Sequence, residues 1–378
     1  MTIGFVSNFM NHHQKPLADR LYAALGDGYR WIATTPVDEE RLALGYDDLN
    51  ASLPYVLRTY AGEEERQRAR AFCLSCDCLI VAYDFGGLAE ERMRLGRMTV
   101  ITSERVCKRG AWELLRPREY VSTLLHRTRY RGGPLYFLSI GELAARDYRL
   151  TFSFPKKCYR WGYFIDVPKR EAPPPVKDTA PPLKIFWAAR FIDWKHPEFM
   201  LAAARRLKAE GYSFRMELAG TGPLFDEIRK KIDEEGLRDR IVLLGAMPHE
   251  EVRKKMLEAP VFCLTSNRRE GWGAVVSEAL ASRCVTLASE AVGAATALLA
   301  DGKSGVLFRD GDSADFTEKL RGVLADPERY ESVADRGYAT MTELWNPDVA
   351  AERLIRWTEA MLAGGETPYQ TGPCSFIR

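Results

Sequence analysis

Residues 166–183, DVPKREAPPPVKDTAPPL, place prolines at 168, 173–175, 181 and 182 and carry almost no aliphatic side chains. Proline lacks a backbone N–H and fixes φ, so such a stretch cannot run through the middle of a sheet or a helix. It reads as a stiff linker that divides the 378-residue chain into two halves. A chain of this length also exceeds what one ordinary core holds. Whatever each half folds into, it must do so around its own core.

Both halves show the same pattern. Before the linker, TIGFVS, WIATT, YVLRTY, CLIVAYD and MTVITS read as strands, with LYFLS and CYRWGYFI as the last of that half. PLADRLYAAL, EEERQRARAFCL and LAEERMRLG have helical periodicity between them. After the linker the alternation restarts: strand KIFWAA, helix PEFMLAAARRLKAEG, strand RMELAG, helix PLFDEIRKKIDEEG, strand IVLLG, helix PHEEVRKKMLEA, strand VFCLTS and, later, strand VTLAS. Strands alternating with helices specify a parallel sheet covered on both faces. The expected fold class is α/β, with two doubly wound Rossmann-like domains, 1–165 and 184–344, facing a cleft. A final segment, 345–378, carries the helix NPDVAAERLIRWTEAML. Ligands of such sheets bind at the carboxyl ends of the strands.

Composition excludes several classes. A net charge of +2 is too small for a nucleic-acid binder, so no nucleic-acid partner is expected. No apolar run approaches the ~20 residues of a membrane-spanning helix, and MTIGFVSNFMNHHQ does not read as a secretory leader. The eight cysteines lack the spacing of a disulfide scaffold or a zinc site; Cys73, Cys76 and Cys78 run into an apolar strand and read as buried, inert thiols. A cytoplasmic setting is expected.

The stretch REGWGAVVSEAL, 269–280, follows the strand VFCLTS and opens a helix at about residue 273. A helix start offers unpaired N–H groups and a partial positive charge to a phosphate. Gly271 and Gly273 allow close approach of the backbone. Glu270 and Glu278 lie up to about 12 Å apart along a helix, too far to share a proton. They can grip hydroxyl groups on either side of a diphosphate, the shape of a nucleotide-sugar, or be a helix-start acid and a solvated helix residue. Arg190 and Lys195, in WAARFIDWKHPE just past the first strand of the second half, supply cations for such a diphosphate. In LAGTGPL, Gly220 and Gly222 form a tight turn near a ligand, without the third glycine of a dinucleotide fingerprint.

AARFIDWKHPEFMLAAARRL, LAGTGPLFDEIRKKIDEEGLRDRIVLLG, REGWGAVVSEALASRCVTLAS and GKSGVLFRDGDSADFTEKLRGVLADPERY together resemble the retaining, nucleotide-sugar-dependent glycosyltransferases of family 4, which have the GT-B fold. The resemblance covers about 185–330, and the Glu-x7-Glu spacing with the upstream Arg/Lys pair carries it. It implies that Arg190 and Lys195 neutralise the donor diphosphate and that Glu270 sits by the donor sugar. The backbone of Gly271, Trp272, Gly273 and Ala274 would contact sugar and phosphate, and Glu278 the ribose. The base would lie along Gly245, Met247 and Pro248, and the final helix would cross back to the first domain. UDP is the expected nucleotide ahead of GDP, and no metal or other cofactor is required. Ala189 and Trp272 stand where relatives carry Gly and Phe. The first half departs more: SNFMNHHQKP replaces the paired-glycine loop of many members, a feature associated with a capsule- and surface-polysaccharide subset.

Residues for acceptor chemistry therefore come from position alone. His13, the catalytic candidate of the first half, and Asn11 and His12 lie on the loop after the first strand; Asp84 and Glu104 follow later strands. Asp310, Asp312 and Asp315 precede a helix and read as capping rather than metal ligands. Residues 105–131 hold eight Lys/Arg and two acids interleaved with Trp112, Leu114, Leu115, Leu124 and Leu125. That stretch is either a surface helix or a docking face for an anionic membrane, the latter implying a lipid-linked saccharide acceptor. A transferase with a soluble acceptor, a nucleotide-sugar epimerase and a non-catalytic binding subunit are the alternatives.

Overall fold

The computed structural model describes residues 1–38, 48–167, 173–299 and 302–378. The chain divides into two compact units, one of Met1–Asp166 with Trp345–Arg378 and the other of Val167–Leu344.

The first unit is built on a seven-stranded sheet of β1 (Ile3–Ser7), β2 (Tyr29–Ala33), β3 (Val56–Arg58), β4 (Cys78–Val81), β5 (Thr99–Ser103), β6 (Leu135–Ile140) and β7 (Cys158–Trp161). Their order is β3-β2-β1-β4-β5-β6-β7, and every pairing is parallel. The central strands β1 and β4 are buried along their whole length, the burial that a sheet covered on both faces imposes. The C-terminal helix Pro347–Leu362 belongs to this unit and packs on helix Lys15–Leu25, where Arg20 pairs with Asp348 at 2.7 Å. The tail then covers the open edge of β7. Arg160 N–H donates to the Ser375 carbonyl, Cys374 N–H to the Arg160 carbonyl and Ile377 N–H to the Cys158 carbonyl. These bonds occupy backbone groups that an exposed edge would leave for another chain.

The second unit contains a six-stranded parallel sheet of β8 (Leu183–Ala188), β9 (Phe214–Ala219), β10 (Ile241–Gly245), β11 (Val261–Leu264), β12 (Val285–Ser289) and β13 (Val306–Phe308), in the order β10-β9-β8-β11-β12-β13. Aliphatic faces of helix Glu198–Ala209 (Met200, Ala203, Ala204, Leu207) and helix Ser313–Ala325 (Phe316, Leu320, Val323) close over Ile185, Trp187, Met216 and Leu218. Of the proline-rich stretch, 168–172 lie outside the described residues. The rest is tied to this unit: Lys177 donates to the Met256 and Ala259 carbonyls and to Cys284 Sγ, and Arg283 donates to the Pro174 carbonyl. Among the described residues no helix is long and apolar enough to cross a membrane.

All eight cysteines are buried and unbridged. The guanidinium of Arg92, also fully buried, donates to the carbonyls of Cys73, Cys76 and Met98. A cation there meets the last carbonyls of helix Glu63–Ser75, where the helix dipole is negative.

Candidate active site

In the second sheet the strand order reverses between β8 and β11, the switch point at which loops leave neighbouring strands in different directions. The loop after β8 carries Arg190 and Lys195; the loop after β11 carries Glu270. Hydrogen bonds braid the two together. Trp187 Nε1 donates to Thr265 Oγ1 at 2.8 Å, and Thr265 Oγ1 donates to the Lys195 carbonyl at 2.5 Å. Asn267 N–H donates to the Trp194 carbonyl at 2.9 Å, and Asn267 Nδ2 lies 3.0 Å from His196 Nε2. The result is an ion pair between Lys195 Nζ and Glu270 Oε2, each side chain about one-sixth exposed. A cation and an anion held together in partial burial can exchange their mutual contact for a ligand's opposite charges at little desolvation cost.

Arg190 is exposed, its guanidinium 5.8 Å from the Trp194 ring. Arg269 lies over the same ring at 4.2 Å and pairs with Asp193 at 2.8 Å. Sequence reasoning missed Trp194 and Arg269. An aromatic four residues after Arg190 was the available signal, because guanidinium groups stack on indole faces.

The glycines divide into two roles. A Cβ on Gly220 would stand 1.9 Å from the Ala189 carbonyl oxygen, and one on Gly222 would stand 2.6 Å from that of Phe191. Both have positive φ, 129° and 151°. These two positions therefore serve backbone-on-backbone packing that shapes the Arg190 loop. Gly245 accepts a hydrogen bond from Gly220 N–H at 2.7 Å, and Met247 lies half-buried in the turn beyond β10. Gly273 adopts φ 80°, with Val292 Cγ1 2.8 Å from where its Cβ would be.

Helix Ala274–Ala281 starts directly after Gly273 and has no side-chain cap, so its first N–H groups remain available to an anion. Gly293 and Ala294 N–H groups bind the carbonyls of Gly271 and Trp272, fixing the loop from behind. Trp272 itself is only 1% exposed, and its Nε1 donates to Ser277 Oγ at 3.3 Å. Its side chain is core, and only its backbone can meet a ligand.

Glu278 is not a solvated helix residue. It is 3% exposed, and its Oε1 lies 2.9 Å from Nε2 of His249, the first residue of helix His249–Glu258. The Glu278 hydrogen bond raises the His249 pKa above the ordinary histidine value, against the opposing effect of burial. His249 was missed from sequence because its partner is 29 residues away and neither periodicity nor spacing links them.

Asp310 pairs with Arg268 at 2.8 Å, and Asp312 caps helix Ser313–Ala325 by accepting from Asp315 N–H at 2.9 Å. The D-x-D carboxylates are thus engaged in loop and cap contacts.

In the first unit a cavity of about 420 Å³ opens beyond the carboxyl ends of β1, β5 and β7. Asn11, His13, Glu104, Arg105, Lys108, Trp161 and Tyr163 are among its walls. Glu104 joins Lys108 at 2.8 Å and accepts from Tyr163 Oη at 3.2 Å. Burial, reinforced by the Glu104 charge, pushes the Tyr163 phenol well above its usual range. His13 and Glu104 are thereby brought to one cavity. Asn11 reaches it too, but its side chain accepts from the His13 and Gln14 N–H groups and closes the turn before helix Lys15–Leu25. His12 is exposed, its ring 3.8 Å from that of His13, and it is not part of the cavity wall. Asp84 is also outside the cavity: it accepts from Ala89 N–H at the start of helix Leu88–Arg94.

Residues 105–131 include two short α-helices, Trp112–Leu115 and Pro117–His126, the second with no buried residue, followed by a 3-10 turn at Thr128–Tyr130. Trp112, Leu115, Val121 and Leu125 are each about half exposed, and Arg116 lies 4.1 Å over the Trp112 ring. Leu114 is buried and departs from the expected apolar face.

Comparison with known proteins finds likeness to glycosyltransferases. Residues 169–340 match the model of the family described as glycosyl transferases group 1. The alpha-D-kanosaminyltransferase of Streptomyces kanamyceticus is 28% identical over 173 residues, 45% of this chain and 44% of that protein. The amylovoran biosynthesis glycosyltransferase AmsK of Erwinia amylovora is 31% identical over 137 residues, 35% of this chain and 33% of that one. The matched stretches thus span less than half the length of these relatives. The crystal structure of Anabaena HepE in complex with UDP and glucose superimposes with a TM-score of 0.63 at 14% identity, covering 95% of this chain and 99% of that one. This likeness identifies the fold as GT-B. The likeness to the group 1 glycosyltransferases is carried by residues 169–340, within the second unit.

Proposed function

We propose that the protein transfers a sugar from a nucleotide-sugar to a saccharide acceptor, with retention of configuration, in the synthesis of a surface polysaccharide or glycoconjugate. The observation that carries this reading is the Lys195–Glu270 ion pair, set at the switch point of the sheet beside the uncapped start of helix Ala274–Ala281. In this reading Lys195 and Arg190 take the donor diphosphate together with the helix-start N–H groups. Released from Lys195, Glu270 accepts hydrogen bonds from the donor sugar, and Glu278 holds the ribose. Breaking the sugar–phosphate bond builds negative charge on the leaving diphosphate, and preorganised cations and N–H dipoles stabilise that charge. With that charge met by side chains and backbone, no metal is required.

UDP is the favoured nucleotide ahead of GDP, a choice supported by the UDP and glucose bound to the similar HepE structure. The role in polysaccharide synthesis draws support from the amylovoran relative. The acceptor binds in the first unit, with His13 and Glu104 as the groups that meet its hydroxyls. The half-exposed Trp112, Leu115, Val121 and Leu125, set among arginines, favour a lipid-linked acceptor reached from an anionic membrane surface.

Transfer from radiolabelled UDP-sugars to membranes containing lipid-linked saccharides tests the reading. Glu270→Ala is expected to lower the rate by about a hundredfold or more, the scale set by lost transition-state contacts. Equal rates for wild type and variant refute it.

A further inference from the structure

We propose that His249 is a positioning residue for the donor, and that its proton couples donor binding to pH through Glu278. The inference rests on the reading of Glu278 as the ribose contact, but the histidine belongs to it only through the geometry. Glu278 Oε1 is occupied by His249 Nε2 at 2.9 Å, while Oε2 makes no hydrogen bond to a described residue. The carboxylate is nearly sealed from water, whereas the imidazole, at the first position of its helix, is about half exposed. A buried carboxylate without a compensating charge is costly and tends to take up a proton or swing outward. An imidazolium on Oε1 supplies the compensating charge and fixes the carboxylate, so that Oε2 is presented to hydroxyl donors.

The leading charged influences on His249 include Glu278 from the packed helix and Glu250 and Arg253 from its own. Both acids favour its proton and Arg253 opposes it, with Glu278 the dominant influence. A histidine whose folded pKa is raised contributes while pH lies below that value and loses its contribution as pH rises through it. Donor affinity should therefore fall as pH climbs past the raised His249 value, above the ordinary histidine range.

The test is the Kd of UDP, with GDP in parallel, between about pH 6 and about pH 9 for wild type and His249→Gln. Glutamine keeps a donor on Oε1 but cannot carry the charge. Taking the ratio of the two proteins' constants cancels the titration of the nucleotide's own phosphate. Wild type should bind about tenfold more tightly at the acid end, the scale of one charge-assisted contact, with the two converging at the alkaline end. His249→Ala should bind more weakly than His249→Gln throughout. A second readout needs no nucleotide: the His249 imidazole, followed by NMR, should titrate lower in Glu278→Gln than in wild type. A ratio independent of pH, or a His249 titration unmoved by Glu278→Gln, overturns the inference while leaving the donor site intact. A wild type that binds neither nucleotide at any pH overturns the donor reading, and this inference with it.

Discussion

Gly220→Ala separates a glycine that packs from a glycine that touches ligand. The added Cβ would lie 1.9 Å from the Ala189 carbonyl oxygen and 2.9 Å from its carbon, both backbone atoms that no rotamer change can move aside. An ordinary contact needs about 3.4 Å or more, so the 219–222 turn must retreat by over an ångström or the Ala189 peptide must. Either movement disturbs the bonds from Ala189 N–H to the Ala219 carbonyl and from Gly220 N–H to the Gly245 carbonyl. The backbone at φ 129° adds its own strain for a residue with a side chain. Overpacking of about 1–3 kcal/mol and backbone strain of about 1–3 kcal/mol give a loss of about 2–6 kcal/mol. For a unit of this size that lowers the thermal midpoint by about 5–15 °C. Calorimetry that resolves the second unit, run on wild type and Gly220→Ala, measures this directly. Because the displaced backbone carries Arg190, UDP affinity should fall as well. A variant with an unchanged midpoint and weakened UDP binding would refute the packing assignment and return Gly220 to the ligand surface.

Other expectations follow from single contacts. Asp312→Ala removes a helix cap and should cost about 1 kcal/mol of stability in urea unfolding, without making transfer depend on added magnesium or manganese; a large loss of transfer restored by metal would contradict the capping role. Burial raises the Cys76 thiol to about 11 and the Cys78 and Cys158 thiols to about 12, from 9.0. A raised thiol pKa contributes stability below the unfolded value that is lost as pH rises through the folded one, so unfolding free energy should decline from about pH 9 upward. The native chain should also resist alkylation at neutral pH, and fast labelling before unfolding would contradict that. Trp112→Ser with Leu125→Ser should reduce flotation with anionic vesicles at low salt; equal flotation would remove the membrane face.

The alternation of strand and helix was legible because parallel strands buried on both faces must be largely apolar: β4 and β11 are so throughout, and β1 and β12 are so apart from Ser7, Thr286 and Ser289. Glu270, Lys195 and Arg190 were legible as strand-end residues, since the switch point follows from strand order. What escaped is information carried by contacts between distant segments. The His249 partner of Glu278, the Trp194–Arg269 stack and the closeness of Gly220 to Ala189 each depend on how two loops meet, and residue type alone does not encode that. Trp272 was expected to meet the ligand through its backbone alone, and its indole is buried in the core. His12 and Asp84 sat at strand ends, yet one leans outward on His13 and the other caps a helix.

A thermal-shift panel of UDP, GDP, ADP, CMP and dTDP on wild type, Lys195→Met and Glu278→Ala tests the central claim most directly. A nucleotide bound only by the folded state adds about 2.7 kcal/mol at a hundred times its Kd, enough to raise the midpoint by several degrees. The account predicts that one nucleotide, UDP before GDP, stabilises the wild type and does so far less in both variants. Equal shifts in all three proteins, or no shift with any nucleotide, would contradict it.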